Sequence, residues 1–342
     1  MNVDPSASML PQRSKWVSVI VPVFKNYESL EELCSAILEV RKDQFPQHSL
    51  EILFIDDGSP DKSWEVLERL RETYPNEVSL LKLSRNFGQL SAILAGYDAA
   101  QGDAVIMISA DLQDPVELMG RMVVAWENGH DLVIAYRESR DDERKARFFS
   151  RIAYAFARSA NPRIPRGGFD YLLMSRRAVD IMKTFKGQHR FFQGDVLWLG
   201  FPTAFLPYVR KRRRHGKSAY TFAKKFKSFL DLTLDSSFLP IRMMSAIGFL
   251  TASGGMLYAV TIVLNRLIRG QLPFPGWAPL MIVILLTGGL IMIMLGIIGE
   301  YLWRIYDDIK GKPMYAVDKR ALVPKPAERA SEDSAASAQS VK

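Results

Sequence analysis

Two stretches late in the chain, Met243 to Asn265 and Gln271 to Gly299, contain no charged residue. Each exceeds the roughly 20 apolar residues that a helix needs to cross the ~30 Å hydrocarbon layer of a bilayer. Adjacent uncharged runs of this length are rare in water-soluble cores, so they point to an anchored chain with two spans, at about 243–265 and 277–299 within a segment 240–300. The short connection holds only Arg266 and Arg269, whereas Arg210 to Arg242 is crowded with Lys and Arg. Positive charge stays on the cytoplasmic side. The expected topology is therefore an integral, multi-pass hairpin in the plasma (inner) membrane, with the globular part and both termini cytoplasmic. Gly276-Trp277 and Trp303 fall near the water interface, the depth that indole prefers.

The flanks follow from composition. Residues 1–15 carry no apolar run of the kind that opens a secretory signal and read as a flexible start. Phe222, Phe226, Phe229 and Leu230 recur at helical spacing, with Lys224, Lys225 and Lys227 elsewhere on the wheel. That pattern describes an amphipathic helix lying in the membrane surface within 217–239. From 301 onward a cytoplasmic tail is expected, disordered from about 321, where apolar content is too low to pack.

Residues 16–216 read as one α/β domain. Short β-branched runs (VSVIVPV from 17, LEILFIDD from 50, VSLLKLS from 78, DAVIMIS from 103, DLVIAY from 131) alternate with segments such as SLEELCSAILEV and SWEVLERLRETY. Apolar residues in those segments recur every three or four positions, as in helices that cover a sheet. This is a doubly wound α/β pattern. Ligands of such sheets sit beyond the carboxyl ends of the strands, which here carry Pro22, Asp56, Asp57, Ser84, Arg85, Ser109 and Asp111.

Two of these ends carry recognisable chemistry. In FIDDGSPD (54–61) the backbone turns at Gly58 and exposes carboxylates able to accept hydrogen bonds from a base or from ribose hydroxyls, although Asp-Gly-Ser is also an ordinary turn. In ISADLQDP (108–115) the oxygens of Asp111 and Gln113 on a short loop suit Mg²⁺ or Mn²⁺ bridged to a diphosphate. Asp114 reads as the N-cap of a helix opening at Pro115. Arg137, Arg140, Arg147 and Arg151 follow the fifth strand with Ser150 among them, and guanidinium forks match phosphate oxygens. A solvated basic helix competes with that reading, because Asp141, Asp142 and Glu143 lie nearby. The single cysteine, Cys34, excludes an intrachain disulfide and a Cys-cluster zinc site.

Taken in order, VSVIVPVFKNYESL, FIDDGSPD, SRNFGQLSAILAGYDAAQGD and SADLQDPVELM resemble the successive signatures of family 2 glycosyltransferases with a GT-A (nucleotide-diphospho-sugar transferase) fold. With the two apolar stretches, the resemblance narrows to the polyprenyl-phosphate glycosyltransferases and covers about residues 15–315. It implies that Pro22, Asp56, Asp57 and Arg85 bind the nucleotide, and that Asp111 and Gln113 take part in metal and diphosphate binding. The family usually has aspartate two residues before Asp111. This chain has Ser109, a neutral and poorer ligand for a hard cation. The resemblance further implies that Arg137, Arg147 and Ser150 face the acceptor phosphate. Asp170, in GGFDYLLMSRRAVD, aligns with an acidic residue that orients a sugar hydroxyl or stabilises positive charge at the anomeric carbon, a catalytic role shared with Asp111. RRRHGKSAY (212–220) is similar to a basic Gly-x-Ser loop in which Arg214, Lys217 and Ser218 close on phosphates.

The implied reaction is an inverting transfer of a sugar from a nucleotide donor, UDP preferred on family frequency, to an undecaprenyl-type polyprenyl phosphate at the cytoplasmic membrane face. A phosphate monoester with a second ionisation near about pH 6 needs no strong base, so alignment and electrostatics carry the displacement and neither His189 nor His215 is required. Membrane lipid is a further expected partner, and a homo-oligomer is compatible with the sequence. The net charge of +8 does not signal nucleic acid, because the run Arg210 to Arg214 flanks a span and is explained by it. A dinucleotide oxidoreductase is excluded by the lack of Gly-x-Gly-x-x-Gly after the first strand. A glycoside hydrolase needs neither a membrane hairpin nor a nucleotide edge. No Gln-x-x-Arg-Trp of a processive synthase is present. The remaining alternative is a catalytically weak membrane scaffold or regulator, suggested by Ser109 and opposed by Asp111, Gln113 and Asp170.

Overall fold

The computed structural model describes residues 14–137, 165, 168–210, 239–269 and 278–324. They divide into two compact units, one built on a sheet and one on two long helices. The amphipathic segment and the site candidates Arg147, Ser150, Arg214, Lys217 and Ser218 lie outside the described residues.

The five apolar runs become β1 (Trp16–Val23), β2 (Ser49–Asp56), β3 (Val78–Leu83), β4 (Ala104–Met107) and β5 (Leu132–Arg137). Between them run α1 (Leu30–Gln44), α2 (Ser63–Thr73), α3 (Gln89–Ala99) and α4 (Leu118–Glu127). Next come β6 (Tyr171–Ser175), α5 (Arg176–Thr184), α6 (Phe192–Trp198) and β7 (Thr203–Tyr208). The sheet order is β7-β5-β6-β4-β1-β2-β3-β8, in which β8 is Val317–Ala321. Strands β4, β1, β2 and β3 are parallel, and their residues are almost continuously buried because helices cover both faces. The result is a GT-A-like mixed α/β sheet rather than a purely parallel one, because β6 inserts antiparallel between β4 and β5.

That insertion positions the site. An antiparallel strand begins where its parallel neighbours end, so the residue before β6, Asp170, arrives at the edge where β4 and β5 stop. Strand β7 runs parallel to β5 and pairs Tyr208 with Arg137 at that same edge.

Strand β8 is unforeseen by the sequence reading, which placed no strand after the second apolar stretch. It pairs antiparallel with the outer side of β3, and all five of its residues are exposed. A strand bonded on one edge and covered on neither face has no alternation to betray it. What holds it is polar and buried. The Val323 amide donates to Ser79 Oγ at 2.9 Å, Ser79 Oγ donates to Glu51 Oε1 at 2.7 Å, and Ser18 Oγ donates to Glu51 Oε2 at 2.6 Å. Gly102 N completes the chain by donating to Ser18 Oγ at 2.9 Å.

The second unit holds α7 (Leu239–Arg269, 31 residues) and α8 (Ala278–Ile309, 32 residues). At about 1.5 Å per residue each is some 45 Å long, enough to cross a bilayer. Their apolar side chains, among them Phe249, Leu250, Leu267, Leu286 and Met292, stay exposed. Gly248 faces Met294 across the pair. Helix α8 continues beyond the uncharged stretch with an Arg304–Glu300 ion pair at 3.1 Å. Its last turns receive the segment Gly187–Phe191, in which Gln188 N donates to Asp308 Oδ1 at 2.7 Å and His189 Nε2 lies 3.1 Å from Asp307 Oδ2.

Candidate functional site

The strand order reverses at β1, with β2 on one side and β4 on the other, and in open α/β sheets ligands bind beyond the carboxyl ends of the strands at such a switch point. Asp56 closes β2 and is fully buried. Its Oδ1 accepts from Ser59 N at 3.1 Å, while Oδ2 has no hydrogen-bond partner among the described residues. Burial raises its pKa, against the opposing Ser59 hydrogen bonds. A buried carboxylate oxygen left open at a ligand edge is suited to a base N–H or a ribose hydroxyl.

Asp57 is differently engaged. Its two oxygens accept from Phe87 N at 2.7 Å and Gly88 N at 2.9 Å, so it ties the end of β2 to the loop that opens α3. Burial raises its pKa as well, with the two amide bonds pulling the other way. Gly58 makes this approach possible: φ is +63°, and a Cβ there would sit 2.5 Å from the Arg85 carbonyl carbon. Arg85 is exposed and stacks its guanidinium 4.0 Å from the Phe87 ring centroid. Pro22 is half-buried on β1 opposite Ile55.

The loop after β4 is strained into shape. Leu112 has φ +57°, a left-handed value that is uncommon for a bulky residue, and the flanking Asp111 Oδ1 accepts from Gln113 N at 3.3 Å. Ser29 Oγ anchors the loop from α1 by donating to Ala110 O at 2.6 Å. Asp114 does not cap a helix. Helix α4 begins at Leu118 with Glu117 as N-cap, and Asp114 instead accepts the Tyr208 hydroxyl on Oδ1 at 2.6 Å. The turn after Pro115 delays the helix, and a partner 94 residues away takes the carboxylate. Burial raises the Asp114 pKa over the opposing effects of Tyr208 and Arg210. Arg210 lies 3.9 Å from Asp111 Oδ2 and 4.0 Å from Asp114 Oδ1.

No three His, Cys, Asp or Glu side chains cluster as metal ligands among the described residues. The donor set still fits Mg²⁺ or Mn²⁺. Such ions are usually held by one or two carboxylates together with substrate phosphates and water, not by a complete protein cage. Asp111 and Gln113 offer hard oxygens on one short loop, held in shape by the buried Asp114 and its bond from Tyr208.

Arg137 is buried, with Nη2 donating to Asp170 Oδ2 at 3.2 Å and Nε to Tyr208 Oη at 3.3 Å. Burial works against its charge, but Asp170, Tyr208 and Asp114 outweigh that and hold its pKa above the usual value. Gln193 Nε2 donates to Phe169 O at 2.8 Å and approaches Asp170 Oδ1 at 3.5 Å. The structure thus brings together Asp111, Asp170 and Arg137, and adds Tyr208, Arg210 and Gln193, which sequence reasoning did not place in the site. Only the position of Tyr208 and Arg210 at the end of a strand could have signalled them.

The sequence profile described as Glycosyl transferase family 2 matches residues 18–229 and takes in every described strand from β2 to β7. The chain belongs to glycosyltransferase family 2. Relatives of this glycosyltransferase align along nearly their whole length. An uncharacterized glycosyltransferase, YkcC of Bacillus subtilis, is 36% identical over 88% of this chain and 93% of its own. A prophage-derived bactoprenol glucosyl transferase of Shigella flexneri is 34% identical over 89% and 97%. The undecaprenyl-phosphate 4-deoxy-4-formamido-L-arabinose transferase of Proteus mirabilis is 32% identical over 93% and 97%. A solved structure of glucosyl-3-phosphoglycerate synthase from Mycobacterium tuberculosis with uridine diphosphate overlaps 64% of this chain and 79% of its own at 17% identity and a TM-score of 0.47.

Proposed function

We propose that this glycosyltransferase moves a sugar from a nucleotide diphosphate donor, UDP by preference, to an undecaprenyl-type polyprenyl phosphate, with inversion at the anomeric carbon. One observation carries the reading. Across the sheet order β2-β1-β4-β6-β5, the residues at the carboxyl edge are Asp56, Pro22, Asp111, Asp170 and Arg137. With strands about 4.8 Å apart, that row matches the sequence nucleoside, diphosphate, sugar along an extended donor. The acceptor class is supported by the names of the Shigella and Proteus relatives, which act on bactoprenol and undecaprenyl phosphate.

In this reading Asp56 Oδ2 receives the base or ribose, and Asp111 and Gln113 would hold the divalent ion, which when bound neutralises charge on the departing diphosphate. Asp170, steadied by Arg137, faces the sugar. The acceptor phosphate oxygen forms its bond to the anomeric carbon as the bond to the diphosphate breaks, and its anionic form needs no base from the protein. Arg147, Ser150, Arg214, Lys217 and Ser218 remain candidates for the acceptor phosphate. Helices α7 and α8 serve as two membrane spans. The return of the chain to the sheet through β8 supports a hairpin, because a chain that leaves a domain and pairs with it again crosses any bilayer an even number of times. The positive-inside distribution favours the cytoplasm for that side.

Radiolabelled nucleotide sugars supplied with undecaprenyl phosphate test the reading: label should enter the lipid extract, and Asp111→Asn should abolish at least about 99% of it. Absence of labelled lipid with every nucleotide sugar, from protein that nucleotides still stabilise against heat, would favour the scaffold alternative.

A further inference from the structure

We propose that the Tyr208 hydroxyl is a positioning group that fixes Asp170, through Arg137, relative to the loop Asp111–Asp114. The proposal rests on the glycosyl-transfer reading. Tyr208 ends β7 level with Arg137 at the end of β5. A phenol has one proton to give and lone pairs to receive with. Here the proton goes to Asp114 Oδ1 at 2.6 Å, and the oxygen accepts Arg137 Nε at 3.3 Å. Arg137 then reaches Asp170 Oδ2 at 3.2 Å. The line Asp114–Tyr208–Arg137–Asp170 therefore joins the metal-loop side of the edge to the sugar side.

Its first three members are 2%, 6% and 9% exposed, whereas the Asp170 side chain is 45% exposed. The open end is the one that meets substrate. The phenol is itself held in place. Tyr171 packs edge-on against its ring at 6.2 Å and 80°, and the Tyr171 hydroxyl donates to Pro115 O at 3.3 Å, on the residue after Asp114. Neither Arg137 nor the loop can shift without disturbing this group. Without the hydroxyl, Arg137 loses the contact that sets its angle, and among the described residues Asp170 is left with a guanidinium free to pivot and a long contact from Gln193 at 3.5 Å. Misplacement of a reacting group by about 1 Å costs on the order of 10²-fold in rate.

The test is Tyr208→Phe in the full-length protein, with transfer to undecaprenyl phosphate measured at 25 °C alone and combined with Asp170→Asn or with Arg85→Gln. Tyr208→Phe should lower kcat about 10- to 100-fold while donor KM stays within about threefold, because placement in the transition state is lost and not ground-state binding. On the Asp170→Asn background it should cost less than about threefold more, since both changes disable the same group, whereas on the Arg85→Gln background its full effect should reappear. A lowered melting temperature with unchanged kcat per folded molecule, or a full multiplicative loss on Asp170→Asn, overturns the proposal while the transfer reading stands. Wild-type protein that transfers no sugar overturns both. Should Tyr208→Phe not fold, Arg137→Lys carries the same comparison. Lysine keeps the charge but lacks the planar fork that serves Tyr208 and Asp170 together, so the same kcat loss and the same non-additivity with Asp170→Asn are expected.

Discussion

Replacing Ser79 by alanine isolates the clasp that fastens the segment after the long helices to the sheet. Ser79 Oγ donates to Glu51 Oε1 at 2.7 Å and accepts from Val323 N at 2.9 Å, and all three residues are fully buried. Alanine removes both bonds and offers no route for water to replace them. Each orphaned buried group costs about 1–3 kcal/mol, so the pair should cost about 2–6 kcal/mol. For a domain of this size each kcal/mol moves the melting temperature by about 2–4 °C, which places the expected loss at roughly 4–24 °C. The assay is thermal unfolding of detergent-solubilised protein followed by intrinsic fluorescence. Thr73→Ala serves as the reference, because Thr73 Oγ1 donates to Arg69 O at 2.9 Å on an exposed surface and should cost less than about 0.5 kcal/mol. If Ser79→Ala melts with Thr73→Ala, or if a chain ending at Lys312 melts like the full-length protein, the clasp does not stabilise the sheet.

Gly58→Ala should weaken nucleotide binding at least about tenfold, since the new methyl, on a residue held at a left-handed φ, must displace the Arg85 backbone; calorimetric titration giving wild-type affinity would refute this. The raised pKa values of Asp56 and Asp57 set two opposite trends. Carboxyls whose folded pKa exceeds the unfolded one contribute stability below the unfolded value and lose it as pH rises through the folded value. Nucleotide affinity runs the other way, because ionised Asp56 accepts on both oxygens and accepts more strongly, whereas protonation turns one of them into a donor: nucleotide binding should weaken as pH falls through a value above the usual carboxylate range, and Asp56→Asn should flatten that profile. A wild-type profile that stays flat from neutral pH down through the usual carboxylate range would count against Asp56. Burial pushes the Cys34 thiol up to about 12, so folded protein should resist maleimide at that position. Against this silent background, a cysteine replacing Gln271 should react from outside intact cells and one replacing Asp318 only after permeabilisation; the reverse pattern would overturn the hairpin.

Much of this architecture is written locally. Strands β1 to β5 are legible because a parallel strand covered on both faces must be apolar along its length, and the two long helices because each rests on an uncharged, largely apolar run of more than about 20 residues. The acidic residues at Asp56 and Asp111 are legible because ligand chemistry collects where such strands end. Other features depend on partners that leave no trace nearby. Asp114 carries a helix-cap signal, yet its carboxylate goes to Tyr208, 94 residues further along the chain. Strand β8 has five exposed residues and no pattern, and it is specified by its pairing with β3 and by a bond from Val323 to Ser79 across 244 positions. Periodicity reports only which side of an element faces away from water. The tertiary structure alone decided which strand runs antiparallel, and with it the meeting of Asp170, Arg137 and Tyr208, because a buried carboxylate or guanidinium takes whichever complementary group the packed sheet brings within hydrogen-bond reach.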